Sequence, residues 1–119
     1  SPYVAYDRER LYEALHVFVG EHDFRSFCTG DEQESTIRLI RSIRVEPITR
    51  YRIDRIVVDG PSFLRHMIRR IVGAALIIAA SPRRYPDELR EALAAKNPET
   101  TLATAPAHGL LLRRVWYDQ

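Results

Sequence analysis

The sequence has one cysteine, Cys28, one lysine and no apolar run longer than residues 71–80. A lone cysteine excludes an internal disulfide framework and any zinc site built from several cysteines of one chain. A helix that crosses a bilayer needs about 20 mostly apolar residues, so the run at 71–80 is too short. No signal-peptide pattern opens the sequence. We therefore expect a cytoplasmic protein that is neither secreted nor embedded in a membrane.

Glycine and proline do not dominate the composition, with 5 and 7 residues among 119. These numbers exclude collagen-like and low-complexity disordered chains. Hydrophobic residues make up 45% of the sequence and charged residues 29%. This balance is typical of a globular domain, and the length is that of a single domain spanning residues 1–119.

Positive charge is concentrated in the middle of the chain, although the formal net charge is only +2. Between residues 38 and 70 the acidic residues are Glu46, Asp54 and Asp59. The same region contains nine arginines, Arg38, Arg41, Arg44, Arg50, Arg52, Arg55, Arg65, Arg69 and Arg70. A basic region between acidic flanks is typical of a protein with one face that meets a polyanion. The alternative is that the arginines have no polyanion partner and are frequent only because this protein uses arginine, rather than lysine, for nearly all of its positive charges.

The first half of the sequence predicts a helix followed by two strands. Apolar residues at helical spacing predict a helix that begins at an Asp7 cap and stops at Gly20. Residues 21–34 lack a period and predict an ordered loop. Two arginine-rich runs, 36–48 and 50–59, have β-branched residues in alternation and predict neighbouring antiparallel strands.

The second half predicts two helices and a closing strand. Residues 63–80 have a helical period, with Ser62 as a candidate cap. A short helix is predicted over 87–96 and a strand over 109–117. The resulting order, α, β, β, α, α, β, predicts an α+β fold with a mostly antiparallel sheet and helices packed on one face.

The helix predicted over 63–80 carries a stripe of cations on one side. At 100° per residue, the sector contains Arg65, His66, Arg69, Arg70 and Gly73. Cations near a helix N-terminus oppose the macrodipole, and like charges four residues apart repel each other, at a cost of a few tenths of a kcal/mol per pair. We therefore expect an anion nearby. It is either a carboxylate of the protein, such as Asp54 or Asp59, or a phosphate backbone or catalytic carboxylate.

Three segments of the sequence resemble a known family. Residues 60–73, Gly-Pro-Ser-Phe-Leu-Arg-His-Met-Ile-Arg-Arg-Ile-Val-Gly, closely resemble the signature helix in the C-terminal half of TruA-type tRNA pseudouridine synthases. Residues 22–27, His-Asp-Phe-Arg-Ser-Phe, are similar to the loop after the first helix of that half. Residues 105–112, Ala-Pro-Ala-His-Gly-Leu-Leu-Leu, are similar to its closing loop and strand. Because the three matches stand in the family's order, the sequence is identified as a member.

The resemblance implies an isomerase that works on tRNA without a metal or an organic cofactor. Such enzymes break the glycosidic bond of selected uridines in the anticodon stem-loop, rotate the base and rejoin it through carbon. The family's nucleophilic aspartate, in a Gly-Arg-Thr-Asp stretch, and its active-site tyrosine belong to the N-terminal half. Neither motif occurs here. The resemblance thus implies that residues 1–119 are a C-terminal domain that binds tRNA and is inactive alone. This domain would complete the active site of an N-terminal domain, absent here, that carries the catalytic aspartate.

The resemblance also implies roles for five residues and a homodimeric assembly that shares its tRNA between subunits. Arg69 matches the family's buried arginine that pairs with the catalytic aspartate; a guanidinium stays charged and holds a carboxylate ionised. Leu110 matches the apolar residue that packs beside the target base. Arg65, His66 and Arg70 are candidates for contacts with tRNA phosphates.

Two other functions remain open from the sequence. The chain could be a non-catalytic RNA-binding module, or a protein-interaction or dimerisation domain whose arginines pair with a partner's carboxylates. Phosphate contacts weaken as salt rises, which separates RNA binding from the last alternative. For His22 and His108 we expect hydrogen-bonded structural roles, and for Phe24 and Phe27 positions in the core.

Overall fold

A computed structural model describes residues 6–30, 35–51, 53–104 and 115–118. Its helices and strands are α1 (Arg8–His16), β1 (Gly20–Asp23), β2 (Ile37–Ile40), β3 (Ser42–Ile48), β4 (Ile53–Asp59), α2 (Met67–Ala80), α3 (Asp87–Ala95) and β5 (Val115–Asp118). Short 3₁₀-helices lie at Arg25–Phe27 and Thr49–Tyr51. The predicted α+β class is confirmed.

The strands form two small sheets. Strand β1 pairs antiparallel with β2, and β3 pairs antiparallel with β4. Strand β5 lies parallel to β4 on its other edge. The pairing is therefore mostly antiparallel, as predicted, with one parallel neighbour at the end of the chain.

Two predictions about the strands were wrong. The run at 36–48 forms two strands, β2 and β3, which belong to different sheets. The chain changes sheet at Arg41, where the main-chain N–H donates to the carbonyl of Asp59 on β4 at 2.7 Å. The predicted loop at 21–34 begins with strand β1, which pairs with β2 over its whole length. Its polar sequence shows no alternation, so the strand depends on the partner that the tertiary structure supplies.

Helices α1 and α3 follow local signals. Asp7 caps α1, since its Oδ1 accepts the N–H of Glu9 at 2.8 Å, and the helix buries Leu11, Ala14 and Leu15. It ends at His16, short of the predicted stop at Gly20. Helix α3 matches its predicted bounds to within one residue and buries the expected apolar side chains, Leu89, Ala92 and Leu93.

Helix α2 begins at Met67 rather than near Phe63. His66 has a left-handed backbone, with φ 61° and ψ 9°, which interrupts helical geometry ahead of Met67. A bond from the N–H of Met67 to the carbonyl of Leu64, 3.1 Å long, closes a turn there, and both side chains are buried. Arg65 therefore lies in the turn before the helix, and the predicted cationic stripe does not continue along one helix face.

The core is built from the helices, one face of the β3–β4 pair and the segment after β1. Helix α1 packs against both α2 and β3. Strand residues Ile43, Ile56 and Val58 are buried on that face, together with Phe24 and Phe27 from the segment after β1, as expected for these two rings. Within the described ranges, none of the helices has the length and apolar character needed to cross a membrane.

Gly60 allows a close approach between the segment after β4 and strand β2. A Cβ at this position would lie 2.5 Å from the carbonyl oxygen of Leu39 and 2.8 Å from the ring of Phe63. The carbonyl belongs to the paired backbone of β2, which cannot shift cheaply. The residues that lead into α2 are therefore held against β2 by a contact that only glycine permits.

We predict that Gly60→Ala lowers the free energy of unfolding by about 3 kcal/mol, near the upper end for overpacking. Urea denaturation measures the change. The control is Gly30→Ala, where a Cβ meets nothing within 4 Å and only the φ of +87° is unfavourable. That variant should lose about 1 kcal/mol. Equal losses for the two variants would contradict the steric explanation.

Candidate nucleic-acid interface

The acidic residues of the basic region are already paired with arginines. Asp59 accepts from Arg41 at 3.0 Å. Glu46 accepts from Arg55 at 2.8 Å and from Arg44 at 3.3 Å. The hydrogen bonds from Arg41 and Arg55 are the main cause that lowers the pKa values of Asp59 and Glu46, so both carboxylates stay ionised.

Asp54 is the most enclosed of these carboxylates. Arg8 Nε donates to its Oδ1 at 2.6 Å, and the hydroxyl of Tyr6 donates to its Oδ2 at 2.7 Å. Burial, and then the bond to Asp54, raises the pKa of Tyr6, so the phenol remains a donor. The three residues join the start of α1 to β4. Both carboxylate oxygens of Asp54 therefore already have a hydrogen-bond donor, Arg8 or Tyr6.

Arg65 and Arg69 are left without such a partner. Both side chains are exposed, and none of the carboxylates in the described ranges pairs with either one. Arg69 is the single exposed residue of α2. Asp54 and Asp59, the two protein carboxylates considered as one alternative, do not compensate these arginines, because they pair with Arg8 and Arg41. Among the described residues, the entrance to α2 thus presents two exposed guanidinium groups with no carboxylate partner.

Arg70 has a structural environment. It is half-buried, and its Nη1 donates to the carbonyl of Pro98 at 2.9 Å and to that of Ser26 at 3.4 Å. The Ser26 hydroxyl is fully buried, donates to the carbonyl of Ala92 at 2.6 Å and accepts from the N–H of Asn97 at 2.9 Å. Arg70 therefore connects α2 to the segment that follows α3 and to the 3₁₀-helix at Arg25–Phe27.

His66 lies in the turn between Arg65 and α2. Histidine enters the left-handed region more often than most residues, yet a non-glycine residue there costs about 1–3 kcal/mol. Its Nδ1 forms a hydrogen bond with Thr29 Oγ1 at 2.7 Å, and the N–H of Thr29 donates to the carbonyl of Arg65 at 3.2 Å. Sequence patterns pointed to His66 but not to Thr29, because the two residues are 37 positions apart.

The predictions for His22, His108 and Leu110 have different outcomes. His22 has the predicted structural role: Nε2 bonds to the carbonyl of Val19 at 2.9 Å, and the ring meets Phe24 edge-on. Leu110 and His108 lie outside the described residues, as does the whole segment 105–112. In the part of the chain that the structure describes, no three His, Cys, Asp or Glu side chains are grouped to hold a metal ion.

Comparison with known proteins identifies related sequences. A family model described as tRNA pseudouridine synthase matches residues 14–118. The chain is 41% identical over 107 residues to tRNA pseudouridine synthase A of Pseudothermotoga lettingae, covering 89% of the chain and 43% of that protein. It is 39% identical over 111 residues to the protein of that name from Thermotoga neapolitana, covering 93% and 44%. It is 37% identical over 113 residues to the one from Bacillus pumilus, covering 94% and 44%. The chain spans less than half the length of these relatives.

The neighbouring arginines of α2 should differ in their effect on stability. We predict that Arg70→Met lowers the free energy of unfolding by about 1–2 kcal/mol, because two carbonyls lose a charged donor. Arg69→Met, which changes an exposed side chain, should stay within about 0.5 kcal/mol of the original protein. Chemical denaturation of both variants tests this. A loss at Arg69 as large as at Arg70 would refute the assignment of Arg70 to packing.

Proposed function

Since the chain belongs to the tRNA pseudouridine synthase family, we propose that it is the C-terminal domain of an enzyme that isomerises uridine to pseudouridine in the tRNA anticodon stem-loop. In this proposal the domain binds tRNA and completes an active site whose aspartate comes from an N-terminal domain. The chain covers 43% of the length of the Pseudothermotoga lettingae protein, which leaves room for such a domain in the relative. We expect residues 1–119 alone to leave uridine unchanged.

The observation that carries the proposal is the pair of exposed guanidinium groups at the entrance to α2, Arg65 and Arg69, which have no carboxylate partner among the described residues. The three acidic residues of the basic region are all paired with arginines. Arg65 and Arg69 nevertheless remain without a described carboxylate, in a position where the helix macrodipole already repels cations. Such an arrangement is favourable when an anion from another molecule or domain completes it. Phosphate and carboxylate oxygens match the geometry of a guanidinium.

Arg69 is proposed to act on the catalytic carboxylate. The family resemblance assigns it to a buried pair with the nucleophilic aspartate, and here its side chain is exposed. An exposed arginine on an otherwise buried helix is suitable for a group that a second domain covers. Its charge would lower the pKa of that aspartate and keep it ionised for attack. Its planar fork would also fix the orientation of the carboxylate.

The remaining residues are proposed to bind the substrate. Arg65 and His66, both exposed in the turn before α2, contact tRNA phosphates. Arg70 can add a contact only through the nitrogens that its carbonyl bonds leave available. Leu110 forms an apolar wall beside the target base, where exclusion of water leaves recognition to shape and stacking. The proposed assembly is a cytoplasmic homodimer.

Arg65→Ala should weaken tRNA binding without slowing catalysis at saturating tRNA. Loss of one phosphate contact should reduce affinity about three- to tenfold and reduce the slope of log K against log salt by about 1. The assay uses the longest natural reading frame that contains this chain, with Kd measured across a salt series. The matched control is Arg90→Ala, which removes another exposed arginine, one that pairs with Asp87 on α3.

Two outcomes of this series would count against the proposal. Equal losses for Arg65→Ala and Arg90→Ala would mean that only overall charge matters. Binding that is insensitive to salt would favour the protein-interaction alternative, since phosphate contacts release counterions.

Arg69→Ala should act on turnover instead. We predict that kcat falls by at least about 100-fold, as for loss of one preorganised electrostatic group, while the Kd for tRNA changes by less than about threefold. Single-turnover formation of pseudouridine, followed in the same full-length protein, measures the effect. Arg69→Lys keeps the charge without the fork and should recover part of the rate.

Turnover of Arg69→Ala within a few-fold of the original would make the proposed role of Arg69 wrong. A full-length protein that binds tRNA but forms no pseudouridine would instead support a non-catalytic RNA-binding module.

A further inference from the structure

Two bonds join the loop at Thr29 to the turn that precedes α2. The side chain of Thr29 is hydrogen-bonded to His66 Nδ1 at 2.7 Å, and its main-chain N–H donates to the carbonyl of Arg65 at 3.2 Å. One residue therefore holds the two residues of the turn that the proposed function places on tRNA. Thr29 is itself only partly exposed.

The loop that carries Thr29 is anchored on its other side. Arg25 Nη1 donates to the carbonyl of Gly30 at 3.2 Å, and Cys28 Sγ donates to the carbonyl of Arg25 at 3.5 Å. Cys28 and Phe27 are fully buried in the core. Thr29 thus extends from a segment whose backbone is tied to the body of the domain.

The anchored loop restricts the orientation of the His66 ring through the hydrogen bond to Thr29. The side chain of His66 is exposed, and exposed side chains change rotamer readily on the ps–ns timescale. The bond to Thr29 occupies Nδ1 and leaves Nε2 as the ring nitrogen without a partner among the described residues. A hydroxyl can donate to an unprotonated Nδ1 or accept from a protonated one, so the bond is compatible with either tautomer. When Thr29 donates, Nε2 carries the proton and is a donor toward a phosphate oxygen.

We propose that Thr29 is a positioning residue that orients His66 for a hydrogen bond from Nε2 to a tRNA phosphate. This inference rests on the proposed function of the turn. Holding the ring before tRNA arrives lowers the entropy lost when the contact forms, which increases affinity without adding a contact. Thr29 carries no charge, so its effect on affinity should be independent of salt.

The test is a double-mutant cycle in the longest natural reading frame that contains this chain. Thr29→Val removes the hydroxyl at nearly constant volume and retains the main-chain N–H. Thr29→Ser restores a hydroxyl. His66→Gly removes the ring and keeps the left-handed backbone accessible. Affinity for an unmodified tRNA transcript is measured for each variant and for the Thr29→Val/His66→Gly double variant, and thermal unfolding verifies that each is folded.

We expect Thr29→Val to weaken tRNA binding about two- to tenfold, as for loss of one hydrogen bond. The slope against salt should stay unchanged, and Thr29→Ser should bind within about twofold of the original. In the His66→Gly background, Thr29→Val should have no further effect, because the ring that it orients is gone. Thr29→Ala replaces the valine variant in the cycle if the latter unfolds.

The outcomes separate this inference from the proposed function. If the original protein binds tRNA and Thr29→Val binds equally well, the inference is overturned. It is also overturned if the Thr29 and His66 losses are additive, since a loosened loop would act independently of the ring. A protein that does not bind tRNA at all overturns the proposed function itself, and the role of Thr29 with it.

Discussion

Burial of helix α2 is the constraint that determines which positions of the helix can carry an exposed charged side chain. Ten of its 14 residues are buried, among them Met67, Ile71 and Ile78. Burial of one large apolar side chain such as these three contributes about 1.5–3 kcal/mol relative to exposure. Arginines near the helix N-terminus cost only about 0.3–1 kcal/mol each. Burial therefore outweighs the electrostatic cost, and it leaves Arg69 as the helix's one exposed position.

The distribution of carboxylates gives that exposed position its chemical character. Asp54, Asp59 and Glu46 lie on the strands, within reach of arginines from α1 and from the strands themselves. These pairs are local to the β3–β4 surface or to its contact with α1. In the described part of the chain, Arg65 and Arg69 pair with none of these acidic groups. The neighbouring arginines Arg69 and Arg70 have different environments, since one is exposed and the other donates to main-chain carbonyls.

The sequence predicted much of the fold and located the segment that carries the candidate site. The sequence correctly predicted the fold class, helix α3, the Asp7 cap and the antiparallel β3–β4 pair. Helix caps, helical periods and strand alternation are encoded within a few neighbouring residues, so a sequence shows them directly. The start of α2 could not be predicted in this way. Its helical sequence pattern extends upstream through His66, and only the left-handed backbone of His66 prevents the helix from beginning earlier. Strand β1 was also missed, because its polar residues become a strand only through pairing with β2.

By itself, the sequence determined that this is an α+β chain with a basic middle and a buried helix that begins with cations, and its motifs pointed to the family. Tertiary structure alone decided which arginines are paired, that Arg70 serves packing and that Thr29 meets His66. The physical reason is distance along the chain. Propensity and periodicity act over a few residues, whereas Arg8 and Asp54 are 46 positions apart, and such contacts depend on how the elements pack.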